Sequence, residues 1–133
     1  MSSSIKSQLK TLKLEANSYK KLGDFGKAEK SILKGLELKP DDNSFNHELA
    51  KIFFKNRRYN KCLQVLLTLS KRIKRRQILF KDIAMCYYKM NKLEESLEAV
   101  QISLSENPDN ISSLYVEGLI YRELGDFEKS ILS

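Results

Sequence analysis

The residues able to make or break bonds are few and scattered. His47 is the single histidine, and Cys62 and Cys86 are the two cysteines. The cysteines have neither CxxC spacing nor a nearby histidine, so they do not form a zinc site. Both fall on apolar helix faces and read as small core residues kept reduced. There is no G-x-S-x-G to raise a serine nucleophile and no G-x-x-x-x-G-K-[ST] loop to cradle phosphate. Glu94 and Glu95 open a helix, where the positive helix end favours acids. These patterns argue against an enzyme, and they imply no metal and no cofactor. Cations are better represented. Lys71, Arg72, Lys74, Arg75 and Arg76 form one run, with Lys55, Arg57 and Arg58 on the opposite turn of the same stretch. Such a cluster can bind RNA, acidic lipid or an import receptor. Aromatic residues do not interleave it, so base stacking is not supported. The plainer reading is a solvated loop.

The elements that carry these residues repeat every 34 residues. A small residue recurs at Ala16, Ala50, Ala84 and Gly118, followed three positions later by Tyr19, Phe53, Tyr87 and Tyr121. A turn aromatic or leucine recurs at Phe25, Tyr59, Leu93 and Phe127, and a second small residue at Ala28, Cys62, Ser96 and Ser130. Pro40 and Pro108 close the first and third units. This period predicts a helical hairpin copied and stacked, with two helices of about 14 residues per unit. Leu12, Ala16 and Tyr19 lie on one helix face. Gly23 suits the left-handed residue that ends a helix, Asp24 suits the cap of the next, and Gly125-Asp126-Phe127 predicts the same turn again. Ile32, Leu33 and Leu36, then Leu49, Ile52 and Phe53, then Leu63, Leu66 and Leu67, then Ile83, Tyr87, Leu97 and Val100 complete the expected core stripes.

These residues resemble the tetratricopeptide repeat. The resemblance divides the chain into a leader at 1–8 and a repeat domain at 9–133, with units 9–42, 43–76 and 77–110 and a partial unit at 111–133. Unit two departs most: Arg57 stands where glycine is usual and Lys74 where proline is usual. The resemblance implies an all-α, right-handed superhelical solenoid of antiparallel helix hairpins. It also implies a concave groove lined by the first helix of each unit, and a scaffold function. The groove positions are Lys13, Asn17 and Lys20; then Lys51, Phe54 and Lys55; then Lys81, Met85 and Tyr88; then Tyr115, Leu119 and Arg122. The groove therefore begins basic and becomes apolar and aromatic, which suits a protein or peptide with acids at one end and an apolar anchor at the other. Tetratricopeptide domains that hold the acidic ends of chaperones use a clamp of lysine, asparagine, asparagine, lysine and arginine. Lys13 and Asn17 match its first members. Glu48, Ile78 and Asp82 replace the rest, and two acids would repel a carboxylate.

Charge is uneven along the chain, whose net charge is +7. Residues 43–76 hold ten Lys and Arg against one acid, whereas 77–110 hold three against six. This polarity should steer a charged partner. No apolar run is long enough to span a membrane, and the start of the chain lacks a secretory h-region, so a cytoplasmic protein is expected. An anion-binding module working through unit two is the alternative function. A third is the N-terminal regulatory part of a larger glycosyl- or sulfotransferase. The short second helix expected at Ser130-Ile131-Leu132 leaves Leu114, Leu119 and Tyr121 with little cover, which predicts a homodimer through unit four.

Overall fold

The computed structural model describes the backbone of 3–74 and 76–132 and the side chains of 4–74 and 76–125. Among these residues the chain forms seven helices: α1 (Ser3–Lys21), α2 (Phe25–Leu38), α3 (Asn43–Lys55), α4 (Tyr59–Ser70), α5 (Gln77–Lys89), α6 (Leu93–Glu106) and α7 (Ile111–Leu132). Contacts divide them into two compact units, 1–65 and 66–133, with the boundary inside α4.

Three of the turns are the same object. At Gly23, φ is +80°; the Gly23 N–H donates to Lys20 O at 3.0 Å and the Asp24 N–H to Tyr19 O at 2.9 Å. Arg57, at φ 62°, donates to Phe54 O, and Arg58 donates to Phe53 O at 2.8 Å. Asn91, at φ 61°, donates to Tyr88 O, and Lys92 donates to Tyr87 O at 2.8 Å. Each is a left-handed residue that ends one helix and redirects the chain into the next, and each satisfies carbonyls the helix end would orphan. Glycine and asparagine tolerate this conformation; arginine does so only with strain.

Side chains cap several helix starts. Asp24, in the first of these turns, accepts from the Lys27 N–H at 3.1 Å; on the opposite turns Asp42 accepts from the Phe45 N–H at 2.9 Å and Asn110 from the Ser113 N–H at 2.9 Å. Arg76 occupies the cap position of α5 and makes no side-chain cap bond. The Glu106 carboxylate instead holds the cap residue itself: it accepts from the Arg76 N–H at 3.1 Å and from the Arg76 Nε at 3.4 Å.

The first unit buries Leu9, Ala16, Ala28, Ile32, Phe45, Leu49 and Ile52 together, with Ile5, Leu12, Tyr19 and Phe25 packed against them. At Gly35 the Phe45 side chain of α3 lies close against α2. A Cβ there would stand 2.6 Å from Phe45 Cε1. The second unit buries Leu79, Ile83, Ala84, Val100, Val116 and Ile120. Buried hydroxyls join its helices. Ser96 donates to the Ala84 carbonyl at 2.6 Å, and Ser103 donates to the Gln77 carbonyl at 2.6 Å. Ser103 spends its one proton there, so the 2.7 Å contact with Ser113 has Ser113 as the donor. The recurring small residues Ala16, Ala50, Ala84, Ala28, Cys62 and Ser96 are all buried.

Several expectations are corrected. α1 begins at Ser3, within the stretch expected as a leader, and Ile5 packs on the core. Leu33 and Leu67 are exposed, because each lies one helical step round from the buried Ile32 and Leu66. Leu69 is the residue that fills the α4 core instead. The turn expected at Gly125-Asp126-Phe127 does not form. α7 is continuous from Ile111 to Leu132. Extending an existing helix needs no new nucleus, and one interior glycine costs only about 1 kcal/mol. There is accordingly no separate second helix at Ser130, Ile131 and Leu132, whose side chains lie outside the described residues. Leu114 and Tyr121 are 45% and 51% exposed, and a Cβ at Gly118 would meet open space, whereas Ala16, Ala50 and Ala84 are buried.

Two stability changes should follow. Arg57→Gly removes the left-handed strain and should raise the unfolding free energy by about 0.5–1 kcal/mol in urea denaturation. Gly35→Ala forces a methyl onto the Phe45 ring and should lower it by about 1–3 kcal/mol. An unchanged midpoint in either variant would contradict the turn or the close-approach assignment.

Candidate functional site

In the first unit, α1 and α3 bring together the basic residues singled out in the sequence. Lys13 Nζ donates to Ser44 Oγ at 2.5 Å. Lys20 forms an ion pair with Glu48, and Lys51, one helical turn from Glu48, lies 3.5 Å from its other oxygen. Glu48 is only 18% exposed. Burial alone would raise its pKa. The Lys20 hydrogen bond and the charges of Lys51 and Lys20 outweigh burial and hold the carboxyl below its ordinary 4.5. The basic side chains of α1 and α3 are thus partly neutralised by Glu48, which stands where a clamp would have asparagine. Asn17 is half-buried on the same helix as Lys13 and Lys20, and Lys55 is exposed at the end of α3. Phe54 is held edge-on to Tyr59, with ring centroids 5.3 Å apart, so it is tied into the α3–α4 turn.

In the second unit, the corresponding side chains lie on α5 and α7. Tyr88 donates to Glu123 at 3.4 Å. Burial first, then Glu123, pushes the Tyr88 hydroxyl pKa up, while Arg122 opposes the rise and Tyr115 adds to it. Tyr115 and Arg122 therefore each lie near enough to Tyr88 to act on its hydroxyl. Tyr115 is 67% exposed and Ile78 is 53% exposed. Met85 and Leu119 are half-buried. Lys81 pairs with its neighbour Asp82 at 3.0 Å. Glu123 was missed in the sequence. The usable signal is its separation from Tyr88, which at 35 residues is close to one repeat and joins neighbouring first helices.

The basic cluster divides between the units. In the first, Lys55 and Arg57 are exposed, and Arg58 approaches Glu29 at 3.7 Å. In the second, Lys71, Arg72 and Lys74 are exposed, Arg75 lies outside the described residues, and Arg76 is engaged by Glu106 and stacked 5.3 Å over the Phe80 ring. Arg76 is therefore part of the architecture as well as of the charge. Among the described residues, no helix is long and apolar enough to cross a membrane.

Residues 14–42 and 111–133 match a family model described as the tetratricopeptide repeat. Signal recognition particle subunit SRP72 of Homo sapiens is 29% identical over 108 residues, covering 81% of this chain, and the Canis lupus familiaris protein matches equally. The chain spans only 16% of the length of those relatives. Among solved structures, the first TPR of Spaghetti (RPAP3) bound to the HSP90 peptide SRMEEVD has a TM-score of 0.80 at 18% identity, over 90% of this chain and 94% of that one. The second TPR domain of human RPAP3, in complex with the HSP70 peptide SGPTIEEVD, has a TM-score of 0.78 at 15% identity, over 88% and 98%. MamA from Desulfovibrio magneticus RS-1 has a TM-score of 0.82 at 20% identity, over 92% and 70%. At these identities the likeness is one of fold: all-α, built of antiparallel helix hairpins.

The Glu48 cluster makes a pH prediction. Its folded pKa lies below the unfolded one, so its stabilisation is fully present above the unfolded value and is lost as pH falls through the folded value. Between about pH 5 and pH 3 the wild type should lose more thermal stability than Glu48→Gln. Superimposable acid limbs would contradict the ion-pair assignment.

Proposed function

We propose that this chain, built of tetratricopeptide repeats, is a non-catalytic protein-interaction scaffold that holds a peptide or helix of a partner protein on its first helices. The observation that carries this reading is the α5–α7 face of the second unit. Ile78 and Tyr115 are exposed there beside half-buried Met85, Tyr88 and Leu119. Exposed aromatic and apolar side chains on a rigid helical face are the usual anchors of an interface. The peptide-bound RPAP3 domains support a protein or peptide partner for a domain of this fold. Within this proposal the units are 9–42, 43–76, 77–110 and 111–133, the setting is cytoplasmic, and the partner's acids meet the exposed lysines of α1 and α3. The open face of α7 at Leu114 and Tyr121 is a second contact, suited to a homodimer.

The basic stretch favours one competing reading. Lys71, Arg72 and Lys74 are all exposed, as an anion-binding surface for nucleic acid or acidic membrane requires.

Capture of partners from lysate by the wild type and by Leu119→Ala, with and without nuclease, separates the two. On the scaffold reading, Leu119→Ala weakens retention of a protein by about 1–2 kcal/mol without changing the melting curve, and nuclease and moderate salt have little effect. Retention unaffected by Leu119→Ala or Tyr88→Ala, but lost on substituting Lys71, Arg72 and Lys74 or on adding salt, would replace it with the anion-binding reading.

A further inference from the structure

The α1–α3 face of the first unit has lysines from two helices, and a site for an incoming carboxylate would be built from them. Lys20 comes from α1 and Lys51 from α3, and both lie against one carboxylate, that of Glu48. Asn17 and Lys13 are about one and two turns back along α1 from Lys20, and Lys13 already donates to Ser44 of α3. Glu48 is half-buried between these groups and bonded at both oxygens, so it is held as a counterion rather than left as a free surface acid. It has two cationic partners at its two oxygens, which is the arrangement a peptide carboxylate would seek.

We infer that Glu48 is a specificity-determining residue: it fills the carboxylate position between Lys20 and Lys51 from within and so excludes the terminal carboxylate of a peptide from that position. This rests on the scaffold reading and narrows it. Acids of a partner can meet the outer, exposed lysines, Lys10 and Lys21. A carboxylate cannot settle between Lys20 and Lys51, because it would have to expel a bonded one of equal charge and stand beside it. Like charges at that spacing repel, and the displaced Glu48 would lose both cations. Neutralising Glu48 while keeping its size should therefore open the site.

The probe is the peptide SRMEEVD, titrated by fluorescence anisotropy against the full chain. Glu48→Gln should bind it at least about tenfold more tightly than the wild type. Glu48→Asp, which keeps the charge, should not. The gain should vanish when the terminal carboxyl of the peptide is amidated, and again in Glu48→Gln with Lys20→Ala. Glu48→Asn provides the same comparison if the glutamine variant folds poorly by circular dichroism. Equal binding by the wild type and the neutral variants overturns the inference, as does a gain that survives amidation. Either result leaves the α5–α7 face untouched, since that reading stands or falls on Leu119 and Tyr88.

Discussion

Close approach of two antiparallel helices across small residues is the contact on which everything else in this chain depends. Ala16 and Ala28 are buried in the first unit, and Ala84 and Ser96 in the second. In the second pair the Ser96 hydroxyl bonds the Ala84 carbonyl directly, so a side chain reaches the neighbouring backbone. A hairpin that brings its helices this near buries its large residues on either side of the contact. Each fully buried Leu, Ile or Phe contributes about 1.5–3 kcal/mol, but a single hairpin has too few of them to fold alone. The next hairpin must supply the rest, as Phe45 of α3 does by lying on Gly35 of α2.

The left-handed turns hold that spacing. Gly23, Arg57 and Asn91 make the same pair of backbone bonds, although only one is a glycine. The sequence signal at Arg57 is misleading, since arginine is a poor choice there, yet the turn forms because the packing on both sides demands it. Gly125 is the opposite case. Its Gly-Asp-Phe chemistry matches Gly23, and the helix runs through it. Local turn chemistry permits a turn, but a packed second helix is what stabilises one.

Most of the fold was legible because period, small residues and turn residues are properties of one chain position at a time. Asp24 as a cap, Gly23 as a left-handed residue and the burial of both cysteines follow from such local rules. The candidate site was legible only in outline. The groove lysines could be counted, but their partners could not. Glu48 serves Lys20 from 28 residues away, Glu106 accepts from Arg76 across 30, and Glu123 accepts from Tyr88 across 35. These separations cluster near the repeat length without equalling it, so a strict register hides them. The result is a first unit whose positive charge is partly spent internally and a second unit that offers aromatic and apolar side chains.

That division of labour is the central claim, and hydrogen–deuterium exchange of the full chain with and without a captured partner tests it most directly. Protection on binding should concentrate in α5 and α7, with the largest change in the turns bearing Tyr88, Tyr115 and Leu119. Protection confined to 55–58 and 71–74, with α5 and α7 exchanging as in the free protein, would contradict it.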